Sequence, residues 1–118
     1  MLVEFRVSNF RSLRDEQIFS LVASKDKSLG DTHTIATGVS AVPSLLRSAA
    51  IYGANASGKS NLIKALQYMR GVVVESATLI QPGQTYAVQP FRLDRASADE
   101  PTSFEATFIL DGVRHQYG

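Results

Sequence analysis

Residues 53–61 read GANASGKSN and follow the apolar run AAIY. Gly53 and Gly58 bracket four residues, and Lys59 and Ser60 come next, so the stretch fits G-x-x-x-x-G-K-[ST]. A bound triphosphate needs many hydrogen-bond donors in a small space. Glycines let the backbone curl until successive N–H groups point inward, and a helix starting here adds its free N–H groups and its positive dipole end. On this reading Gly53, Ala54, Asn55, Ala56, Ser57 and Gly58 supply backbone amides. Lys59 reaches the β- and γ-phosphates, the Ser60 hydroxyl ligates Mg²⁺, and Asn61 adds an amide near the α-phosphate. The competing reading is a glycine-rich turn before an ordinary helix. Four fixed positions match by chance in roughly one such chain in a hundred, and the context of apolar run, loop and helix is also present. The motif alone does not separate ATP from GTP.

The rest of the chain supplies that context. Residues 2–7, LVEFRV, alternate, with Val3, Phe5 and Val7 on one side, and read as a half-buried strand. SNFRSLRD then turns, and QIFSLVA at 17–23 reads as its hairpin partner. Residues 24–34 read as a polar loop. IATGVSAV is ambiguous and is broken by Pro43. LLRSAAIY at 45–52 has the length and composition of a buried central strand leading into the loop. From Gly58 to about Gly71 the spacing of Leu62, Leu66, Met69 and Val73 predicts one helix with one apolar stripe. QPGQ at 81–84 reads as a turn. YAVQPFRL at 86–93 reads as a strand with Pro90 at an edge. SFEATFIL, Asp111-Gly112 and VRHQY form a hairpin, because Asp-Gly suits a tight turn with positive φ.

Composition narrows the class. The chain has 118 residues, 44% of them apolar, enough for one small core. A net charge of +1 does not by itself argue for nucleic acid or an anionic membrane. It has no cysteine, which removes disulfide frameworks and thiolate metal sites. No apolar run approaches the roughly 18 residues that span a bilayer. A cytoplasmic protein without membrane attachment is expected. The chain ends inside a strand pattern, so residues 1–118 are expected to be the N-terminal part of a longer ATPase domain. Two decoys have plainer readings: Asp111 resembles the end of a Walker B strand but sits in a hairpin turn, and His33 and His115 have no partner at metal-ligand spacing.

VSNFRSL near the start and YGANASGKSNLIKAL together resemble the N-terminal lobe of ABC-type head ATPases of the SMC and RecF kind. LLRSAAIYGANASGKSNLIKAL, QPFRLD and PTSFEATFILDGVRHQYG are similar to bacterial AAA family ATPases of the abortive-infection group, relatives of the OLD family. The resemblance implies an α/β P-loop NTPase fold, an ABC-ATPase-like N-terminal lobe with mainly antiparallel strands around a P-loop strand and one main helix. It implies ATP and Mg²⁺ as cofactors, with Arg11 and Ser12 of NFRS near the nucleotide. It also implies a homodimer of heads and an ATPase in anti-phage defence or DNA maintenance, with an effector nuclease and DNA as candidate partners. The chain departs from the pattern in lacking an LSGGQ-like signature and a Walker B Asp-Glu pair; Gln81, Gln84 and Gln89 precede the position expected of a Q-loop glutamine. Hydrolysis is therefore expected to need parts beyond residue 118. Two rivals stay open. One is a nucleotide-binding scaffold or switch that never hydrolyses. The other is a P-loop kinase or GTPase, disfavoured by hairpins flanking the loop where those folds place parallel βα units.

Overall fold

The computed structural model describes residues 1–26, 28–75 and 86–118. They are α/β, with antiparallel pairing and one long helix, and divide into two compact units. One unit comprises Met1–Arg6, Ile18–Tyr52 and Glu105–Gly118; the other comprises Val7–Gln17 and Gly53–Phe104. Among the described residues no helix is long and apolar enough to cross a membrane.

The first unit is built on a sheet ordered β2-β1-β5-β6, from β1 (Leu2–Ser8), β2 (Gln17–Ser20), β5 (Ser103–Leu110) and β6 (Val113–Tyr117). The expected alternation of β1 holds: Val3 and Phe5 are buried while Leu2, Glu4 and Arg6 are only partly covered. The Ile109 N–H donates to the Met1 carbonyl at 2.7 Å and fixes the pairing at this end. In the β5–β6 turn Asp111 and Gly112 have φ of 51° and 75°, the two successive left-handed residues that a two-residue hairpin needs. The register pairs Phe108 with His115, whose rings stack at 5.5 Å, so that histidine serves a cross-strand contact. His33 lies in a one-turn helix, α1 (Gly30–His33), where its Nδ1 meets the Thr32 hydroxyl at 2.6 Å.

The ambiguous segment after α1 is a second hairpin, β3 (Thr34–Val39) with β4 (Val42–Leu46). Its register slips between Ala36 and Val39, where Gly38 takes φ of 74°. Thr37 stabilises the bulge: its hydroxyl donates to the Val42 carbonyl and accepts from the Val39 N–H at 3.0 Å. Pro43 does not break the strand. It is exposed and falls opposite the bulge, where no ladder donor is required of it. Val3, Val42, Leu45 and Ile109 form the buried cluster, with Leu21 and Val39 against it. Full burial of a side chain of this size stabilises by about 1.5–3 kcal/mol.

Two expected strands do not form as expected. Of the P-loop strand expected over 45–52, Leu45 and Leu46 end β4, while residues 48–52 are irregular and exposed, with Tyr52 at 89%. Apolar composition alone does not make a strand: among the described residues no neighbouring strand supplies ladder partners for this run, and none covers its side chains. Residues 86–92 are likewise without ladder pairing; Pro90 lacks a donor, and the N–H groups of Val88 and Phe91 bond to the Tyr86 carbonyl and the Asn9 side chain instead. The expected turn at 81–84 lies outside the described residues.

In the second unit the main helix, α2 (Lys59–Glu75), passes through Gly71 and takes in the VVVE run that the sequence left open as its extension. Its buried positions are Ala65 and Met69, with Leu62 and Leu66 half-covered, while Val73 is 47% exposed. The covered line is therefore centred on Ala65 and not on the Leu62–Val73 stripe. Three rings pack beside it: Phe10 lies edge-on to Phe104 at 5.4 Å, and Tyr68 stacks on Phe104 at 5.2 Å.

Candidate functional site

Residues 53–58 form a loop, exposed over 53–57 and half-buried at Gly58, that runs directly into α2 at Lys59. Two left-handed residues shape it, Ala56 with φ of 62° and Gly58 with φ of 93°. The Ser57 N–H bonds to the Ala54 carbonyl at 3.3 Å, and the Asn61 and Leu62 N–H groups bond to the Gly58 carbonyl at 2.9 and 3.0 Å. Among the described residues no hydrogen bond occupies the N–H groups of Ala56, Gly58, Lys59 and Ser60. Unpaired donors grouped at a helix start can receive an anion. Lys59 curls back over the loop, its Nζ donating to the carbonyls of Gly53 at 2.7 Å and Ala54 at 2.6 Å. Ser60 is exposed at the first turn of the helix.

Both glycines have steric reasons. A Cβ on Gly53 would stand 2.8 Å from the Ser57 hydroxyl. At Gly58 the left-handed φ already disfavours a side chain, and a Cβ would meet Leu13 Cδ2 at 3.0 Å and Ser12 Oγ at 3.3 Å.

The NFRS turn is brought to the same place. Phe10 and Leu13 exchange backbone hydrogen bonds at 2.8 Å around Arg11 and Ser12, and Arg11 adopts φ of 54°. The Asn61 amide donates to the Ser12 hydroxyl at 2.7 Å. Arg11, Ser12 and Asn61 line a recess of about 320 Å³ together with Gln89, Pro90, Arg92 and Leu93. The Arg11 guanidinium lies 5.5 Å from the centre of the Phe10 ring, and its Nε is buried without a hydrogen-bond partner among the described residues.

Residues 48–118, more than half of the chain, match the family model described as "AAA domain, putative AbiEii toxin, Type IV TA system". The chain belongs to this AAA family. No curated protein and no solved structure matches it. Membership implies a P-loop NTPase fold, and the matched span contains all of residues 53–61. Arg11 and Ser12 lie outside that span; only geometry, through Ser12 and Asn61, joins them to the loop of the AAA domain.

Sequence reasoning missed the residue that holds this arrangement together. Asn9 is buried at 3% exposure with φ of 49°. Its side-chain amide donates to the carbonyls of Ser97 at 2.8 Å and Glu100 at 2.7 Å, and its Oδ1 accepts from the Phe91 N–H at 3.0 Å. Its own carbonyl accepts from the Thr102 hydroxyl at 2.7 Å. One asparagine thus ties segment 91–102 to the turn that carries Arg11. Asn9 opens the NFRS motif and stands at the end of a strand, where an asparagine tolerates left-handed backbone, but its tertiary bonds leave no mark in the sequence. Asp111, in the hairpin turn with φ of 51°, is placed as a turn residue.

Proposed function

We propose that this AAA domain binds ATP with Mg²⁺ through residues 53–61, as the nucleotide-binding lobe of a head-type ATPase. The observation that carries the reading is the loop itself: unpaired N–H groups of Ala56, Gly58, Lys59 and Ser60 around a lysine whose Nζ is held on the loop carbonyls. Those donors suit a triphosphate, which lacks donors of its own and carries the charge that Lys59 and the helix end favour. In this reading Lys59 exchanges its carbonyl partners for β- and γ-phosphate oxygens, and the Ser60 hydroxyl ligates Mg²⁺. Asn61 and Ser12 keep the NFRS turn against the helix start, and Arg11 approaches the nucleotide from the adjoining recess.

Hydrolysis needs more than this cradle: an oriented water and charge stabilisation opposite the γ-phosphate. The two Asp-Glu pairs of the 118 residues, at 15–16 and 99–100, follow no apolar strand pattern, and there is no LSGGQ-like signature, so the chain binds without turnover, and a full ATPase draws those groups from further sequence and from a second head. Anti-phage defence is the favoured setting, with a homodimer of heads and an effector nuclease or DNA as partners. The family description, which names an AbiEii toxin and a type IV toxin–antitoxin system, supports defence over general DNA maintenance. The test is the Mg²⁺ dependence of ATP affinity in the native chain and in Ser60→Ala. The native chain should bind more tightly with Mg²⁺ and the variant should lose most of that gain; a full Mg²⁺ effect in the variant would remove Ser60 as the metal ligand.

A further inference from the structure

A second recess, of about 410 Å³, shares Arg11 and Gln89 with the first. It is lined by Phe10, Arg11, Lys64, Gln67, Tyr68, Ala87 and Gln89, all within the second unit, and by no residue of the loop 53–60. Lys64 follows Lys59 by five positions, about 7.5 Å further along the helix axis. The lining has two cations and, among the described residues, no carboxylate. Neither cation has an ion-pair partner among the described residues, and the Arg11 Nε and the Tyr68 hydroxyl are both buried without hydrogen bonds there. Buried polar groups left in that state cost about 1–3 kcal/mol each, so a fold retains them where something else satisfies them.

The chemistry selects the ligand. A carboxylate carries one charge and would leave one of the two cations uncompensated. A phosphate monoester carries about −1.5 to −2 charges and three acceptor oxygens, which match a guanidinium, an ammonium and a phenol. The two glutamine amides and the aromatic wall can hold an organic body beside it, and the volume falls in the usual range of small-molecule sites, roughly 300–1,000 Å³. We propose that the recess lined by Arg11, Lys64, Gln67, Tyr68 and Gln89 is a second anion site, separate from the phosphate loop. It takes a phosphate monoester carried on an organic body, from a free mononucleotide or from the phosphorylated end of a nucleic-acid strand. Burial pushes the Tyr68 hydroxyl above its ordinary value of 10.0, with Tyr86 adding to the effect, so it remains a neutral donor at physiological pH.

Arg11 lines both recesses, so the test uses Lys64, which is exposed on α2 and lines only this one. Binding of AMP without Mg²⁺, and of a 5′-phosphorylated mixed-sequence single-stranded DNA 12-mer, is measured by calorimetry on the 118-residue chain. The variants are Lys59→Ala, Lys64→Met, which keeps the stem, Lys64→Glu, and Tyr68→Phe, which keeps the ring. Thermal melting reports that each is folded. One probe or both should bind the native chain and Lys59→Ala alike, and lose at least about tenfold in Lys64→Glu, with smaller losses in Lys64→Met and Tyr68→Phe. A Lys64-dependent signal with AMP assigns the source to a free mononucleotide; one with the 12-mer alone assigns it to a strand. No binding by the folded native chain, binding indifferent to Lys64, or binding lost in Lys59→Ala would each overturn the second site. Only the last would leave the phosphate loop as the place where these probes bind, so failure here is separable from failure of the ATP reading.

Discussion

The Asn61 side chain donates to the Ser12 hydroxyl at 2.7 Å across 49 positions of sequence. The same serine oxygen lies 3.3 Å from where a Cβ on Gly58 would sit. One hydroxyl therefore touches both the last glycine of the loop and the first turn of the helix, and the NFRS turn and the loop form a single joint.

Gly58→Ala tests that joint. The new methyl group meets Leu13 at 3.0 Å and occupies a backbone with φ of 93°. Left-handed strain and the close contact together should cost about 1–3 kcal/mol. The denaturation midpoint should fall at unchanged m-value, and ATP affinity should fall with it as the loop opens. Unchanged stability would show that the helix start shifts freely away from Leu13 and Ser12.

Asn9 should matter more to stability than its polar side chain suggests. Asn9→Ala leaves the Ser97 and Glu100 carbonyls and the Phe91 N–H without their partner. A loss of about 2–4 kcal/mol is expected. Asn9→Gly separates the contributions, since glycine accepts the φ of 49°. If hydrogen bonding dominates, Asn9→Gly loses nearly as much as Asn9→Ala in chemical denaturation. A glycine variant as stable as the native chain would reduce Asn9 to a backbone requirement.

Tyr68→Phe should be neutral or stabilising near pH 7, because the hydroxyl it removes is buried and unpartnered among the described residues. It should also change the alkaline limb. The folded-state pKa of Tyr68 is raised above 10.0, so below pH 10 the phenol is protonated in both states and adds no pH dependence. As pH rises further the unfolded chain releases this proton first, and stability falls as pH passes through the raised pKa. Stability curves from pH 8 to 11.5 should show a shallower decline in Tyr68→Phe. A decline identical in both chains would place the Tyr68 hydroxyl in contact with water.

The sequence made local features legible and left lateral ones hidden. Alternation in β1, the Asp111-Gly112 turn and the start of α2 each depend on residues close together in the chain, and all three form as expected. Residues 48–52 and 86–92 failed as strands because pairing depends on a neighbour that composition cannot supply. The β3–β4 hairpin was obscured by a bulge, which interrupts alternation and makes room for Pro43. At the proposed site, the loop was singled out by the spacing of its glycines and lysine. Arg11 and Ser12 came from resemblance, and the Ser12–Asn61 contact sets Ser12 beside the first turn of α2. Asn9, Lys64 and Tyr68 were not legible as site residues, since their roles arise from groups brought together across 50 or more positions.

The central claim is that residues 53–61 hold the phosphates of ATP, and Lys59 tests it most directly. Lys59→Ala removes the ammonium now bound to the Gly53 and Ala54 carbonyls and leaves the backbone donors in place. Isothermal calorimetry with ATP and Mg²⁺ on the two proteins, with melting curves to show that both are folded, gives the answer. ATP affinity should drop at least about tenfold, the equivalent of about 1.4 kcal/mol or more, while the fold is kept. Equal affinity in the native chain and the folded variant would contradict it.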